Sequence, residues 1–279
     1  MADLLDERGY DWVIWPGNEI TEWPEAGERV ALRPHDAKDH RGVVVDWIRE
    51  GEAQVRMDAD GRVRRVKSKE LRKCYRIDAN LTEEHKGRVL LVSETTDYRS
   101  AARAQVFSAD VVVEVGSSYG DTSTLLARHA KRTLHFDNGA ECIEEASRRY
   151  PEINFECVDC FLHAALVQEK SKGCNVVFID IGGSRVARDQ LEMLIWAQQN
   201  LVPKLVVLKS RLLFQALQQR QGGCDAGRPL VNIGRLLTEA AAEGEGAQES
   251  ILATRDRKRA SRAGKRKKTL QKEEYPTEV

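Results

Sequence analysis

From Asp110 onward, short apolar runs alternate with amphipathic segments, and this rhythm constrains the fold more than any other feature of the chain. The apolar runs are VVVEVG, TLHFDN, INFECVD, NVVFIDIGG and KLVVLKS. The segments between them, such as TSTLLARHA and RDQLEMLIWAQQNL, have the spacing of an amphipathic helix. This alternation is typical of a parallel sheet covered by helices on both faces. We therefore expect an α/β domain with a Rossmann-like, mostly parallel sheet at residues 110–255.

Residues 28–76 show short strands separated by tight turns. ERVALR, GVVVDWI, EAQVRMD and GRVRRVK alternate apolar and polar residues, and Asp60 with Gly61 is a turn signal. Strands of this length and spacing predict a small all-β barrel. The stretch resembles the Tudor/KOW-like barrels, which bind RNA, proteins or modified side chains. A barrel that is only a scaffold for its neighbour is the alternative.

The remaining segments are predicted from composition. Residues 1–27 read as an irregular arm whose tryptophans, Trp12, Trp15 and Trp23, pack as a strap on a neighbouring domain or offer a binding surface. Residues 77–109 read as a connecting segment with one strand at 88–93 and a helix that begins near 96–99. A further strand is expected at 249–254, and residues 256–279 are predicted to be a basic disordered tail.

Charge is unevenly distributed along the chain. The 44 basic and 44 acidic residues cancel, but residues 255–272 hold ten Lys or Arg against one Asp. Such a tail favours binding to nucleic acid, nuclear import, or no partner at all. No apolar run approaches the length of a membrane span, and no signal-peptide layout begins the chain. We expect a cytoplasmic or nuclear protein with no membrane partner.

Cysteine content argues against a disulfide scaffold or a metal centre. Six cysteines in 279 residues are too few for a disulfide framework. Cys157 and Cys160 form a lone CxxC, whereas a structural zinc site requires a second pair of ligands. We expect no metal and mostly buried thiols.

A glycine-rich turn follows the first apolar run. The residues from Glu114 to Thr122 read EVGSSYGDT, and a helical pattern begins there. Such a turn lets a ligand approach the backbone and faces it with a helix N-terminus. Ser118 stands where dinucleotide sites usually have a second glycine.

Three further acids end the next three apolar runs. They are Asp137, Asp159 and Asp180, and Asp137 follows Gly116 by 21 residues. The carboxyl ends of neighbouring parallel strands line one crevice, where open α/β sheets bind ligands. A carboxylate at the position of Asp137 can accept hydrogen bonds from both hydroxyls of an adenosine ribose. Each acid could instead serve only as a helix cap.

The array of acids and the turn resembles class I S-adenosylmethionine-dependent methyltransferases, over about 150 residues. The resemblance implies S-adenosyl-L-methionine as cofactor, with Glu114 and the turn residues Gly116, Ser117 and Gly120 around its methionine moiety. An NAD-dependent dehydrogenase would also fit the turn and Asp137, but it does not account for Glu114.

The same resemblance assigns the remaining site residues. Asp137 would bind the ribose, Asp159 with Cys160 would frame the adenine, and Asp180 would face the methyl group and the acceptor. The fourth run continues as DIGGSR, without the motif of enzymes that methylate base amines. Asp180 and Lys209 resemble the catalytic Asp and Lys of ribose 2′-O-methyltransferases. In those enzymes a lysine stabilises the developing alkoxide.

The sequence does not identify the molecule that accepts the methyl group. The upstream Lys of the 2′-O-methyltransferases is missing, although Arg99 or Arg103 could replace it. RNA is the preferred acceptor and partner, because both the barrel and the tail offer positive charge, and a protein acceptor is the third possibility. The rival hypothesis is a non-catalytic RNA- or protein-binding assembly protein that retains the methyltransferase fold.

Overall fold

The computed structural model of the 279-residue chain describes residues 10–15, 24–32, 41–49, 51–75, 87–182, 186–220 and 229–230. The strands in this part of the chain are β1 (Tyr10–Ile14), β2 (Arg29–Leu32), β3 (Arg41–Arg49), β4 (Glu52–Met57), β5 (Val63–Lys67), β6 (Leu71–Lys73), β7 (Gly87–Val92), β8 (Val111–Val115), β9 (Arg132–Asp137), β10 (Phe155–Cys157), β11 (Val176–Ile179), β12 (Leu205–Lys209) and β13 (Pro229–Leu230). The α-helices are α1 (Thr95–Gln105), α2 (Asp121–His129), α3 (Ala140–Arg149), α4 (Ala164–Lys170), α5 (Ala187–Asn200) and α6 (Arg211–Arg220).

An eight-stranded sheet forms the centre of the molecule. Its order is β10-β9-β8-β11-β12-β7-β1-β13. The strands from β10 to β1 are parallel, and β13 pairs antiparallel with β1 at the edge. Parallel neighbours need crossover connections, which the helices between β7 and β12 supply. The predicted α/β, Rossmann-like class is confirmed.

Both faces of this sheet are buried, which explains the valine-rich strands. Successive side chains of a strand point to opposite faces. Val113 and Val115 of β8 pack in a core with α4, α5 and α6, and Val112 packs in a second core with α1 and α2. A strand with two apolar faces shows a continuous apolar run instead of an alternating pattern.

The second sheet is antiparallel and has five strands, in the order β5-β4-β3-β2-β6. Its core includes Val30, Val44, Val55, Met57 and Leu71. The prediction of a closed barrel is wrong for the described residues, because the edge strands β5 and β6 do not pair with each other. Closure requires the two edge strands to meet in register, and the chain after β6 bonds to the α/β unit instead.

Hydrogen bonds tie this five-stranded sheet to the end of α1. The side chain of Gln105 accepts from the backbone N–H of Tyr75 at 2.8 Å and donates to the carbonyl of Lys73 at 3.0 Å. Arg41 donates to the carbonyl of Arg103 at 3.0 Å. Because α1 ends just before β8 begins, the sheet lies at the amino-terminal edge of the parallel strands.

Two of the predicted segments contribute strands to the central sheet. Residues 10–14, expected in an irregular arm, form β1, which pairs parallel to β7 and buries Trp12. Trp15, which follows β1, is also buried. Within residues 77–109, the strand expected at 88–93 is confirmed as β7 and the helix expected to begin near 96–99 as α1, and β7 lies between β12 and β1 in the sheet. Strand order depends on tertiary pairing, which a local pattern does not reveal.

Other predicted features fall outside the described residues. They are Trp23, the strand at 249–254 and the basic tail at 256–279. Within the described part of the chain, no helix is long and apolar enough to cross a membrane.

Candidate functional site

The strand order reverses between β8 and β11, and the site lies at this point. From β8 the chain proceeds to β9 and β10 on one side, then returns to β11 on the other. Open α/β sheets bind ligands in the crevice at the carboxyl ends of such strands. Gly116 has a φ of 91°, and a Cβ at this position would collide with the backbone carbonyl of Asp180. Glycine is therefore required where the two strands diverge.

The turn after β8 is held in a left-handed backbone geometry. Ser118 has a φ of 48° and Gly120 has a φ of 80°. A Cβ on Gly120 would come within 2.7 Å of the Phe155 ring. Ser118, the departure from the usual glycine, still adopts the conformation that glycine favours. Its N–H donates to Oδ2 of Asp137 at 2.8 Å.

A cavity of about 390 Å³ opens beside this turn. Its volume falls within the range of small-molecule sites, roughly 300–1,000 Å³. The lining residues come from the ends of β8 and β9, from the loops that follow β8, β9, β10 and β11, and from α3: Val115, Gly116, Ser118, Tyr119, Phe136, Asp137, Asn138, Gly139, Cys142, Val158, Asp159, Cys160, Phe161, Asp180 and Ile181.

Asp137, at the end of β9, is oriented by the backbone. Its Oδ2 accepts from Ser118 N–H and its Oδ1 from Gly139 N–H, both at 2.8 Å. A carboxylate oxygen can accept two hydrogen bonds. Each oxygen of Asp137 therefore retains acceptor capacity toward the cavity that it lines.

Asp159 and Cys160 form the adjoining wall. Oδ1 of Asp159 accepts from the backbone N–H of Phe161 at 2.9 Å, and Oδ2 lies 3.4 Å from the side-chain nitrogen of Asn138. Burial, with smaller contributions from the negative charges of Asp159 and Asp137, raises the pKa of Cys160 to about 12. The thiol is therefore neutral at physiological pH and contributes an uncharged surface.

Asp180 lines the cavity and also binds a lysine. Nζ of Lys209 lies 3.0 Å from Oδ1 and 2.9 Å from Oδ2 of Asp180. Burial raises the pKa of Asp180, and the charge and hydrogen bonds of Lys209 oppose this rise without cancelling it. Lys209 itself does not line the cavity. The predicted pair is brought together, but only its carboxylate faces the cavity.

Glu114 lies inside the protein instead of on the cavity wall. It is 1% exposed, and its Oε2 accepts from Ser123 Oγ at 2.5 Å and contacts His135 Nδ1 at 2.8 Å. These contacts join β8 to α2 and β9 beneath the turn. Ser117 is also buried, and neither Ser117 nor Gly120 lines the cavity. In this structure the three residues shape the turn, whereas Gly116, Asp137, Asp159, Cys160 and Asp180 line the cavity.

Several lining residues were not predicted. Asn138 and Gly139 follow β9 directly, and an Asn-Gly pair after a strand is a turn signal that could have identified them. Tyr119 lies within the predicted turn and is half-exposed at the cavity. Cys142 and Phe161 carry no comparable signal, because their approach depends on how α3 and the loop after β10 fold back.

The charge of the cavity wall is one-sided. Among the described residues that line it, three are Asp and none is Lys or Arg. A wall of this kind favours a ligand that carries positive charge near the three carboxylates. It is unfavourable for a pyrophosphate group, which needs cations or unpaired backbone N–H groups.

Metal and disulfide chemistry are not indicated in the described part of the chain. No group of three or more His, Cys, Asp and Glu there has an arrangement suited to a metal ion. Cys157 is exposed, Cys160 is buried, and both are free thiols.

Compared with models of known protein families and with curated protein sequences, the chain shows no significant match.

Proposed function

We propose that this protein is an S-adenosylmethionine-dependent methyltransferase that uses the cavity at the ends of β8, β9, β10 and β11. The observation that carries the proposal is the acid-lined cavity at the point where the strand order reverses. S-adenosyl-L-methionine carries a sulfonium and an ammonium charge, whereas NAD carries an anionic pyrophosphate. Three carboxylates without a cation among the described lining residues favour the former.

The residues on the cavity wall fit the parts of this cofactor. The two oxygens of Asp137 can accept from two ribose hydroxyls, and their orientation is already set by two backbone N–H groups. The neutral thiol of Cys160 and the ring of Phe161 offer apolar surface to the adenine. Asp159 supplies a carboxylate acceptor beside them. When bound, the cofactor supplies an electrophilic methyl group.

Asp180 is the group best placed to act on the acceptor. It faces the cavity, and its raised pKa makes it a stronger base than an ordinary Asp. It would accept the proton that the attacking acceptor atom loses. Lys209 would act as a positioning residue that orients the Asp180 carboxylate, because its ammonium donates hydrogen bonds to both carboxylate oxygens, at 3.0 and 2.9 Å. The acceptor that we propose is RNA.

The ion pair between Lys209 and Asp180 also favours a second candidate function. A ribose methyltransferase of the expected type needs a cation beside the attacked hydroxyl, and Lys209 is tied to Asp180. A non-catalytic protein that binds the cofactor and RNA without methyl transfer would have no such need. Transfer of a labelled methyl group to RNA by the wild-type chain separates the two candidates.

Calorimetric titration tests the cofactor proposal. Asp137→Asn should weaken the affinity for S-adenosylmethionine about tenfold or more, because charge-assisted hydrogen bonds to the ribose contribute roughly 1.5–3 kcal/mol each. Glu144→Gln, which removes an exposed carboxylate of α3, is the matched control and should bind like wild type. Tighter binding of NAD than of S-adenosylmethionine, or no heat with S-adenosylmethionine or S-adenosylhomocysteine at millimolar concentration, would contradict the proposal.

A further inference from the structure

The five-stranded sheet turns one face away from its small core, and the register of its strands identifies the residues on that face. Ala53 and Val55 of β4 are buried in the core, so Arg56, which follows Val55, points outward. Directly opposed residues of antiparallel strands share a face. Lys67 is opposite Glu52, and Arg65 is opposite Gln54, so both point outward.

Most acidic residues near this face are already neutralised. The ion pairs are Arg49 with Glu52, Arg29 with Asp58, and Arg64 with Asp60. Five exposed cations remain that form no ion pair with a described residue: Arg56, Arg62, Arg65, Lys67 and Lys69. We call these five residues the outer basic face. Asp46 and Glu70 are its acidic neighbours, so the face keeps a net positive charge.

We infer that the outer basic face binds the phosphate backbone of single-stranded RNA. Three of its five cations are Arg, whose planar fork of N–H donors matches phosphate oxygens. Val63 lies opposite Arg56 and is 49% exposed, which gives the RNA an apolar surface between the charges. Bases can contact an apolar side chain of this kind where they are unpaired, which favours a single strand over a duplex. The inference rests on the proposed function only in naming RNA as the acceptor class.

The outer basic face lies far from the cavity, and this distance indicates which step of the reaction the RNA contact affects. The sheet is bound to the C-terminal end of α1, at the amino edge of the parallel strands, whereas the cavity lies at their carboxyl edge. The two edges are separated by at least the length of β8, five residues or about 17 Å. RNA on the outer basic face is therefore held away from Asp180, and the contact should affect RNA affinity and not the chemical step.

Fluorescence anisotropy with the full chain tests this inference without cofactor. The probe is a labelled oligouridylate of about 20 nucleotides, longer than the roughly 4–16 nucleotides that one OB fold covers. Arg56→Gln/Arg65→Gln/Lys67→Gln should weaken binding about tenfold. It should also make the slope of log K against log salt shallower by about two, since each phosphate contact in a single strand contributes about 0.7. The matched control is Arg128→Gln/Lys131→Gln/Lys172→Gln, which removes three exposed cations elsewhere and should leave the slope unchanged.

The other outcomes separate this inference from its alternatives and from the proposed function. An unchanged slope for the outer-face variant, or an equal loss for the control, would overturn the site. Equal loss of binding to a deoxythymidine oligomer of the same length would support contacts to phosphate, which RNA and DNA share. Loss of binding to anionic phosphatidylserine vesicles, with RNA binding intact, would replace RNA by a membrane surface. RNA binding by a chain that does not bind S-adenosylmethionine would leave this inference standing and remove only the proposed function.

Discussion

The carboxylate of Asp180, directly after β11, faces the cavity on one side and Lys209 on the other. Asp180 lines the cavity and at the same time accepts two hydrogen bonds from Lys209. The side chains of the pair are 19% and 22% exposed, so water screens their attraction only in part. Without the lysine, burial would raise the pKa of Asp180 further. Lys209 thus limits the rise in the pKa of Asp180 and holds the carboxylate in place.

Removal of this lysine should destabilise the fold in a pH-dependent way. In Lys209→Met the folded-state pKa of Asp180 rises further above its unfolded value. Stability is then retained at low pH, where the acid is protonated in both states, and is lost as pH rises through the folded-state pKa. We expect a loss of about 2 kcal/mol at pH 7, because a partly buried charge is left unpaired, and a smaller loss near pH 4. Urea unfolding across this range measures both.

Lys170→Met provides the comparison. Lys170 pairs with Glu156 at 2.5 Å, but its side chain is 40% exposed, so its removal should cost less than about 1 kcal/mol. The double variant Asp180→Asn/Lys209→Met should lose the pH dependence of Lys209→Met. A cost of Lys209→Met that stays constant with pH would show that Lys209 acts through packing of its alkyl chain instead of its charge.

At the scale of single elements, the sequence predicts those whose signal is local. The apolar runs that form β8, β9, β11 and β12 were predicted as strands, because a parallel strand buried on both faces reads as a continuous apolar segment. The residues expected at the site stand at or next to the carboxyl ends of these strands. The strand β1 was missed because Trp12 and Trp15 are followed closely by Pro16 and Gly17, and this composition is typical of a loop.

Contacts between elements cannot be predicted from such local sequence patterns. Glu114 has the sequence position of a cofactor ligand, yet its carboxylate lies beneath the turn with Ser123 and His135. These partners come from α2 and β9, and their approach depends on the packing of three elements. Nothing in the local sequence distinguishes this buried acid from Asp137, which ends the next strand and lines the cavity.

Gln105 is the side chain that joins α1 to the five-stranded sheet. It is fully buried and bonds to the backbone of both Lys73 and Tyr75. Gln105→Ala leaves a buried N–H and a buried carbonyl unpaired, which should cost about 2–4 kcal/mol. Hydrogen exchange should accelerate at residues 71–75, while the affinity for S-adenosylmethionine stays the same. Gln168→Ala is the control, since Gln168 is exposed and its contact to Asn200 is 3.5 Å long.

An exchange rate at residues 71–75 that does not change in Gln105→Ala would mean that apolar packing and the hydrogen bond from Arg41 to Arg103 hold the two sheets together without Gln105. The second core supports some contribution of this kind, because Ala31, Cys74 and Tyr75 pack there with Ala104 and Val106. Loss of cofactor affinity in the same variant would show that the amino edge communicates with the cavity.

At the scale of the whole molecule, charge is balanced in sum and separated in space. Of the 44 basic residues, ten lie between positions 255 and 272, so the rest of the chain is negative overall. Within the described residues, the outer basic face is the positive surface that we propose for RNA. Two positive regions on one chain can bind one strand together, and each then raises the effective concentration of the strand at the other.

The basic tail and the outer basic face should contribute separately to the salt dependence of RNA binding. If the tail binds RNA, deletion of residues 255–279 should make the salt slope of oligouridylate binding shallower, because its ten Lys or Arg would neutralise several phosphates. Combined with Arg56→Gln/Arg65→Gln/Lys67→Gln, the two reductions should add, because distant and independent contacts contribute additively. Calorimetry should show unchanged affinity for S-adenosylmethionine in all four proteins. If the tail deletion alone abolishes the salt dependence, the tail accounts for all RNA binding and the outer basic face has no part in it.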